Sequence, residues 1–79
     1  MPLIAILGSI KIYVYFNDHL PPHFHALYTE YEAMIAIEDL TLIAGKLPSK
    51  ELKRVLQWAR DNQSFLLKSY KECNPKYYQ

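Results

Sequence analysis

Apolar and polar positions alternate with a period of two through the first half of the chain, and beyond residue 48 they recur every three or four positions. The change of period separates a sheet-forming part from a helix-forming part. Residues 3–7 and 10–16 flank Gly8 and Ser9, and a two-residue loop with glycine first suits a type II′ hairpin. In the second of these strands Ile10, Ile12, Val14 and Phe16 alternate with Lys11, Tyr13 and Tyr15, so the aliphatic face is assigned to the core. Pro21 and Pro22 lack amide donors and restrict their predecessors, which stops the strand and stiffens the loop. A second hairpin is expected from residues 24–29 and 31–38 around Thr29 and Glu30. Within it His25, Leu27 and Thr29 share one face, and Phe24, Ala26 and Tyr28 share the other. His23 and His25, two apart, point the same way.

Asp39 and Leu40 make a turn, residues 41–44 read as a short edge strand, and Gly45, Lys46, Leu47 and Pro48 lead into a helix. Pro48 suits a first helical position, or Ser49 a cap. Leu52, Val55, Leu56, Ala59, Leu66 and Tyr70 then form a stripe for packing on a sheet. The pattern predicts one helix running to about Lys71 and ending before Asn74 and Pro75. On a wheel of about 100° per residue, Lys50, Lys53, Arg54, Gln57, Arg60, Lys68 and Lys71 fall opposite the stripe. Trp58 and Phe65 lie on one flank, where they either widen the buried face or form a ridge for a partner.

Composition adds limits to this pattern. With 79 residues, 51% hydrophobic and 22% charged, the chain is expected to be one globular domain, residues 1–79, with a single core. The single cysteine, Cys73, rules out an internal disulfide and reads as a small apolar filler. No leader-like segment and no long apolar run is present, so the chain is expected to begin near Met1, to avoid membranes and to stay in the cytoplasm. The net charge of +1 conceals a division: residues 1–45 hold one base against five acids, and residues 46–79 hold eight bases against three acids. The basic half offers a surface for anions, or simply a solvated helix.

All three histidines fall within the seven positions 19–25, beside Asp18 and the proline pair. Imidazoles and a carboxylate can bind a divalent metal. The spacing His-x3-His-x-His is irregular, however, and no metal or other cofactor is expected. Two close histidines can also act as base and acid in turn, which with a cation for the phosphate suffices for metal-independent cleavage of RNA. A purely structural role, with His19 and His23 shaping the loop and His25 packed in the strand, is a further alternative. Phosphate-cradling glycine loops and CxxC pairs are absent.

The run Asp18, His19, Leu20, Pro21, Pro22, His23, Phe24, His25 strongly resembles a small prokaryotic family, domain of unknown function family 4160. The resemblance takes in Met1, Pro2, Ile4, Gly8 and Ile10, then Tyr28, Ala33 and Ile37, the passage from Gly45 to Pro48, and Trp58. Many members carry glycine at the turn where this chain has Thr29 and Glu30. Members commonly lie beside a gene for a second small protein, in an arrangement resembling a toxin–antitoxin pair with this family on the toxin side.

Together these readings predict an α+β domain: an antiparallel sheet of four to five strands, from two hairpins, packed against one long C-terminal helix. The function expected is the toxin of a type II toxin–antitoxin module acting on RNA or the translation apparatus. His23 and His25 are its acid–base candidates, with His19 and Asp18 as orienting groups. Lys50, Lys53, Arg54 and Arg60 are expected to engage phosphate, and Trp58 and Phe65 a cognate antitoxin encoded by the neighbouring gene. A non-catalytic protein-interaction module and a small metal-binding domain are the rival readings.

Overall fold

The computed structural model describes residues 2–78; Met1, which the family resemblance includes, lies outside them. Five strands, β1 (Leu3–Leu7), β2 (Ile10–Tyr13), β3 (His23–Tyr28), β4 (Tyr31–Ala36) and β5 (Leu42–Gly45), form one antiparallel sheet in chain order. Each strand pairs with the next, so every connection is local. Leu7 faces Ile10 across the first turn, where Gly8 has φ +61° and Ser9 a negative φ, as a type II′ loop requires. Tyr28 faces Tyr31 across the second, with Thr29 in the left-handed region at φ +51°.

The helical part differs from its prediction. Two helices replace the single long one: α1 (Ser49–Arg60) and α2 (Gln63–Cys73), followed by a 3-10 turn over Pro75–Tyr77. The physical reason lies at Asn62 and Gln63, two amides that a continuous helix would turn toward the sheet. At about 100° per residue Asn62 falls in the middle of the stripe between Ala59 and Leu66. The chain breaks there instead. Asn62 Nδ2 donates to the carbonyl of Trp58 (2.8 Å), and Gln63 Nε2 donates to the carbonyls of Ile37 (2.8 Å) and Glu38 (3.1 Å) at the end of the sheet. The amides thus satisfy carbonyls that a straight helix would leave buried or solvated elsewhere.

Pro48 takes the N-cap rather than the first helical position, and its carbonyl accepts the first helical bond from Leu52 N–H at 2.9 Å; Ser49 makes no capping bond. The second strand ends three residues earlier than its alternation suggests, and the edge strand lies one residue later than expected.

The core forms between one face of the sheet and both helices. Ile10, Ile12, Val14, Phe24, Ala26, Ala33, Ile35 and Ile37 meet Val55, Ala59, Leu66 and Tyr70 in one buried cluster. Trp58 packs edge-on against Phe24 with ring centroids 6.4 Å apart, and its side chain joins the margin of that core. Phe65, beyond the helix break, is 44% exposed. Among the described residues no helix is long and apolar enough to cross a membrane.

Candidate functional site

The alternation of β3 that sends Phe24 and Ala26 into the core sends His25 to the opposite face of the sheet, where Tyr13 and Met34 are its cross-strand neighbours. His23 enters the strand from the proline loop, whose Leu20–Pro21 peptide is cis. The two imidazoles meet edge to face with centroids 5.1 Å apart. Both are nearly buried, at 2% and 6% exposure. Tyr15 covers His25 at a centroid distance of 4.2 Å, and Tyr70 of α2 lies 5.9 Å from His23.

Asp18 closes the cluster. Its Oδ2 lies 3.0 Å from His25 Nε2 and 2.9 Å from His23 Nε2. The two contacts are not equivalent. His25 Nε2 makes a hydrogen bond to Oδ2, whereas His23 Nε2 is buried without a hydrogen-bond partner among the described residues, its ring direction missing the carboxylate despite the short distance. The remaining ring nitrogens are both anchored. His23 Nδ1 donates to the carbonyl of Pro21 at 2.8 Å, and His25 Nδ1 donates to Glu32 Oε2 at 3.1 Å. A carbonyl only accepts, so Nδ1 of His23 carries the proton and Nε2 presents its lone pair to the cluster.

The loop that carries Asp18 is fastened from α2 and the turn behind it. Asp18 N–H donates to Asn74 Oδ1 at 2.6 Å, and Asn74 Nδ2 donates to the carbonyls of Tyr15 (3.1 Å) and Tyr70 (3.0 Å). The hydroxyl of Tyr70 donates to the carbonyls of His19 (2.8 Å) and Asp18 (3.2 Å). Burial would raise the Asp18 carboxyl, but the His25 hydrogen bond, the neighbouring His23 and the His19 backbone N–H hold it below its ordinary value. Burial, then Glu32 and neighbouring tyrosine and aspartate, push the Tyr15 phenol up, so it stays neutral. Burial also raises the Cys73 thiol, which keeps it a packed filler rather than a nucleophile.

Of the expected site residues, the structure brings Asp18, His23 and His25 together and leaves the ring of His19 exposed and outside. His19 contributes only its backbone, donating its N–H to Asp18 Oδ1 at 3.0 Å. Lys50, Lys53, Arg54 and Arg60 are exposed on α1, on the helix side of the sheet, and none of the cluster's polar contacts involves α1. Arg54 rests over the first hairpin, its guanidinium close to Gly8.

Three contributors lie beyond the residues that the sequence pattern singles out. Glu32 carries a readable signal, since the Tyr28–Tyr31 turn register sets Glu32 opposite Leu27, diagonal to His25 on the same face. Tyr70 is visible in the pattern as a core position but not as a donor. Asn74 gives no local signal, lying 56 positions from the aspartate it holds.

A five-stranded meander with two helices on one face and a buried Asp–His–His centre on the other side of β3 defines a small α+β domain organised around one polar cluster. The chain belongs to the family described as domain of unknown function (DUF4160), whose model matches residues 9–71. That match includes Asp18, His23, His25, Glu32 and Tyr70 and stops short of Asn74. Among curated proteins and among solved structures, nothing matches the chain.

Proposed function

We propose that the chain is the toxin of a two-protein toxin–antitoxin module, acting on RNA or the translation apparatus through the Asp18, His23 and His25 centre. The observation that carries this reading is the centre itself: Nε2 of two buried histidines lies within 3.0 Å of one carboxylate oxygen of Asp18. The ring nitrogens supply complementary chemistry there. His23 Nε2 offers a lone pair, and His25 donates a proton toward Asp18, which are the base and acid that transfer from a ribose hydroxyl needs. Asp18, with its side chain 17% exposed, is the edge from which a substrate would approach.

The two-protein arrangement rests on the gene neighbourhood that the family resemblance implies, and the exposed bases of α1 supply charge for a phosphate backbone. An antitoxin has apolar surface to cover at Phe65 and, beside the centre, at Phe16 and Leu20, which are 58% and 50% exposed. Trp58 would contribute at the edge of such a contact.

The burial of both histidines favours a second reading, in which the cluster is a structural fastener of a non-catalytic interaction module. Inducible expression with and without the neighbouring gene product separates the two. Wild type should arrest growth and be rescued by the neighbour, while a folded His23→Ala, His25→Ala double variant, or Asp18→Asn, should not arrest growth. Undiminished toxicity of folded variants would remove the centre from the mechanism, and failure of the double variant to fold would favour the fastener.

A further inference from the structure

We infer that Asp18, His23 and His25 form a binding site for a divalent first-row transition metal ion, with Glu32 as the residue that positions His25. The first ground is the unpartnered nitrogen. His23 is 2% exposed, its Nδ1 proton is committed to the Pro21 carbonyl, and its Nε2 has no hydrogen-bond partner among the described residues. A buried acceptor left bare is destabilising, so such atoms in native proteins are usually served by something else.

The second ground is the closeness of the three donor atoms. His23 Nε2 and Asp18 Oδ2 are both electron-pair donors 2.9 Å apart, and a proton between them would not lie on the ring's N–H axis, since the contact fails as a hydrogen bond. Tetrahedral ligands held about 2.0–2.1 Å from a metal lie roughly 3.3–3.4 Å from one another. The two nitrogen–oxygen separations here, 2.9 and 3.0 Å, are shorter than that, and all three donor atoms lie within 4.8 Å of each other, so the cluster has to open slightly to admit the ion.

The third ground is what stands behind the ligands. Metal-binding histidines almost always donate the other ring N–H to a carbonyl or a carboxylate, which fixes the tautomer and aims the coordinating nitrogen. Both arrangements occur here: His23 Nδ1–H on the Pro21 carbonyl, and His25 Nδ1–H on Glu32 Oε2. Asp18 is held in turn, by Asn74 at its amide and by the His19 N–H at Oδ1, so that Oδ2 faces inward. On binding, His25 releases the Nε2 proton to solvent and keeps the one shared with Glu32.

Two imidazoles and one carboxylate suit zinc, iron(II), cobalt, nickel or manganese better than magnesium or calcium, which prefer all-oxygen sets. Three protein ligands leave coordination positions on the Asp18 side, the exposed edge of the cluster. The irregular spacing that argues against a metal in the sequence is resolved by the fold: His19 is not part of the set, and Asp18 takes its place across the loop. This inference does not rest on the toxin reading: a bound ion would occupy Nε2 of both His23 and His25, so it replaces the acid and base roles given to those atoms above, and the site can fill in a protein that poisons nothing.

The test uses tag-free, chelator-treated full-length protein titrated calorimetrically with Zn²⁺ and with Mg²⁺. Wild type and His19→Ala should bind one Zn²⁺ with equal affinity and bind Mg²⁺ far more weakly. His23→Ala or His25→Ala should weaken Zn²⁺ binding by about 100-fold or more, and Glu32→Gln by about 10–100-fold. Because the buried histidines can be needed for folding, the deciding readout is imidazole nitrogen NMR of the wild type. Zn²⁺ should shift Nε2 of His23 and His25 while both Nδ1 remain protonated. If only His19 responds, or if Zn²⁺ binds folded His23→Ala as tightly as wild type, the site does not exist. A non-toxic chain that binds zinc here leaves this inference intact; a toxic chain whose centre ignores zinc overturns it and leaves the toxin reading standing.

Discussion

Tyr70 shows how one side chain joins the core to the site. Its ring is fully buried on the α2 stripe, and its hydroxyl crosses to the carbonyls of Asp18 and His19. Burial, with Tyr78 and Tyr77 nearby, pushes the phenol from its ordinary 10.0 up to about 12. The folded value lies above the unfolded one, so the folded protein holds the proton longer than the unfolded chain. The contribution is therefore complete below about pH 10 and is lost as pH rises toward about 12. Tyr70→Phe keeps the ring and removes the proton, which should cost about 1 kcal/mol near neutrality. The gap between wild type and variant should then narrow in urea melts taken between about pH 8 and about pH 11. A constant gap across that range would mean that the phenol does not ionise differently in the two states. The stripe periodicity discloses that Tyr70 is buried, but the partner of its hydroxyl is a loop 51 positions away, and no local pattern carries that information.

At the scale of elements, β5 depends on a glycine. Gly45 has φ +75°, and a Cβ there would overlap the backbone carbonyl oxygen of Glu32, which accepts the Lys46 N–H at 3.0 Å. Gly45→Ala should therefore destabilise the domain by roughly 1–3 kcal/mol or detach the edge strand, because neither the dihedral nor the clash can relax through a side chain. Hydrogen exchange at Met34 and Ala44 would detect detachment, and urea melts would detect global loss; a variant with wild-type protection and stability would refute the account. The hairpins themselves are legible in the sequence, since period-two alternation and two-residue turns determine register without knowledge of the rest of the fold. The helix break is harder to see, although its signal is present. Apolar members alone define the stripe, and the interval of seven between Ala59 and Leu66 equals two helical turns, so the periodicity passes over the break. Asn62 and Gln63, the polar residues inside that interval, mark where the chain turns away. The same break explains why Trp58 and Phe65, placed on one flank of a single helix, differ in the folded protein: Trp58 packs on Phe24, and Phe65 faces outward.

Across the whole molecule, the acids of the cluster and the bases of α1 lie on different sides of the sheet. Asp18 and Glu32 gather at the histidines, while Lys50, Lys53, Arg54 and Arg60 line the exposed side of α1, across the sheet from that cluster. On the toxin reading the two sides have separable tasks, affinity for the phosphate backbone on α1 and chemistry at the cluster. Lys53→Glu, Arg54→Glu and Arg60→Glu together should weaken binding of single-stranded RNA and lower the salt slope of the logarithmic binding constant by roughly 2, at about 0.7 for each phosphate that the variant no longer neutralises. These residues share no polar contact with the cluster, so the triple variant should bind Zn²⁺ as wild type does. Asp18→Asn should do the reverse, leaving the salt slope of RNA binding unchanged while losing activity. Arg54 is the residue most exposed to a structural complication, because its guanidinium rests on the turn at Gly8. A Lys53→Glu, Arg60→Glu pair, free of that complication, should still lower the slope by roughly 1.4. If RNA binds both variants as it binds wild type, α1 is a solvated face, and any nucleic acid must be held by some other surface of the domain.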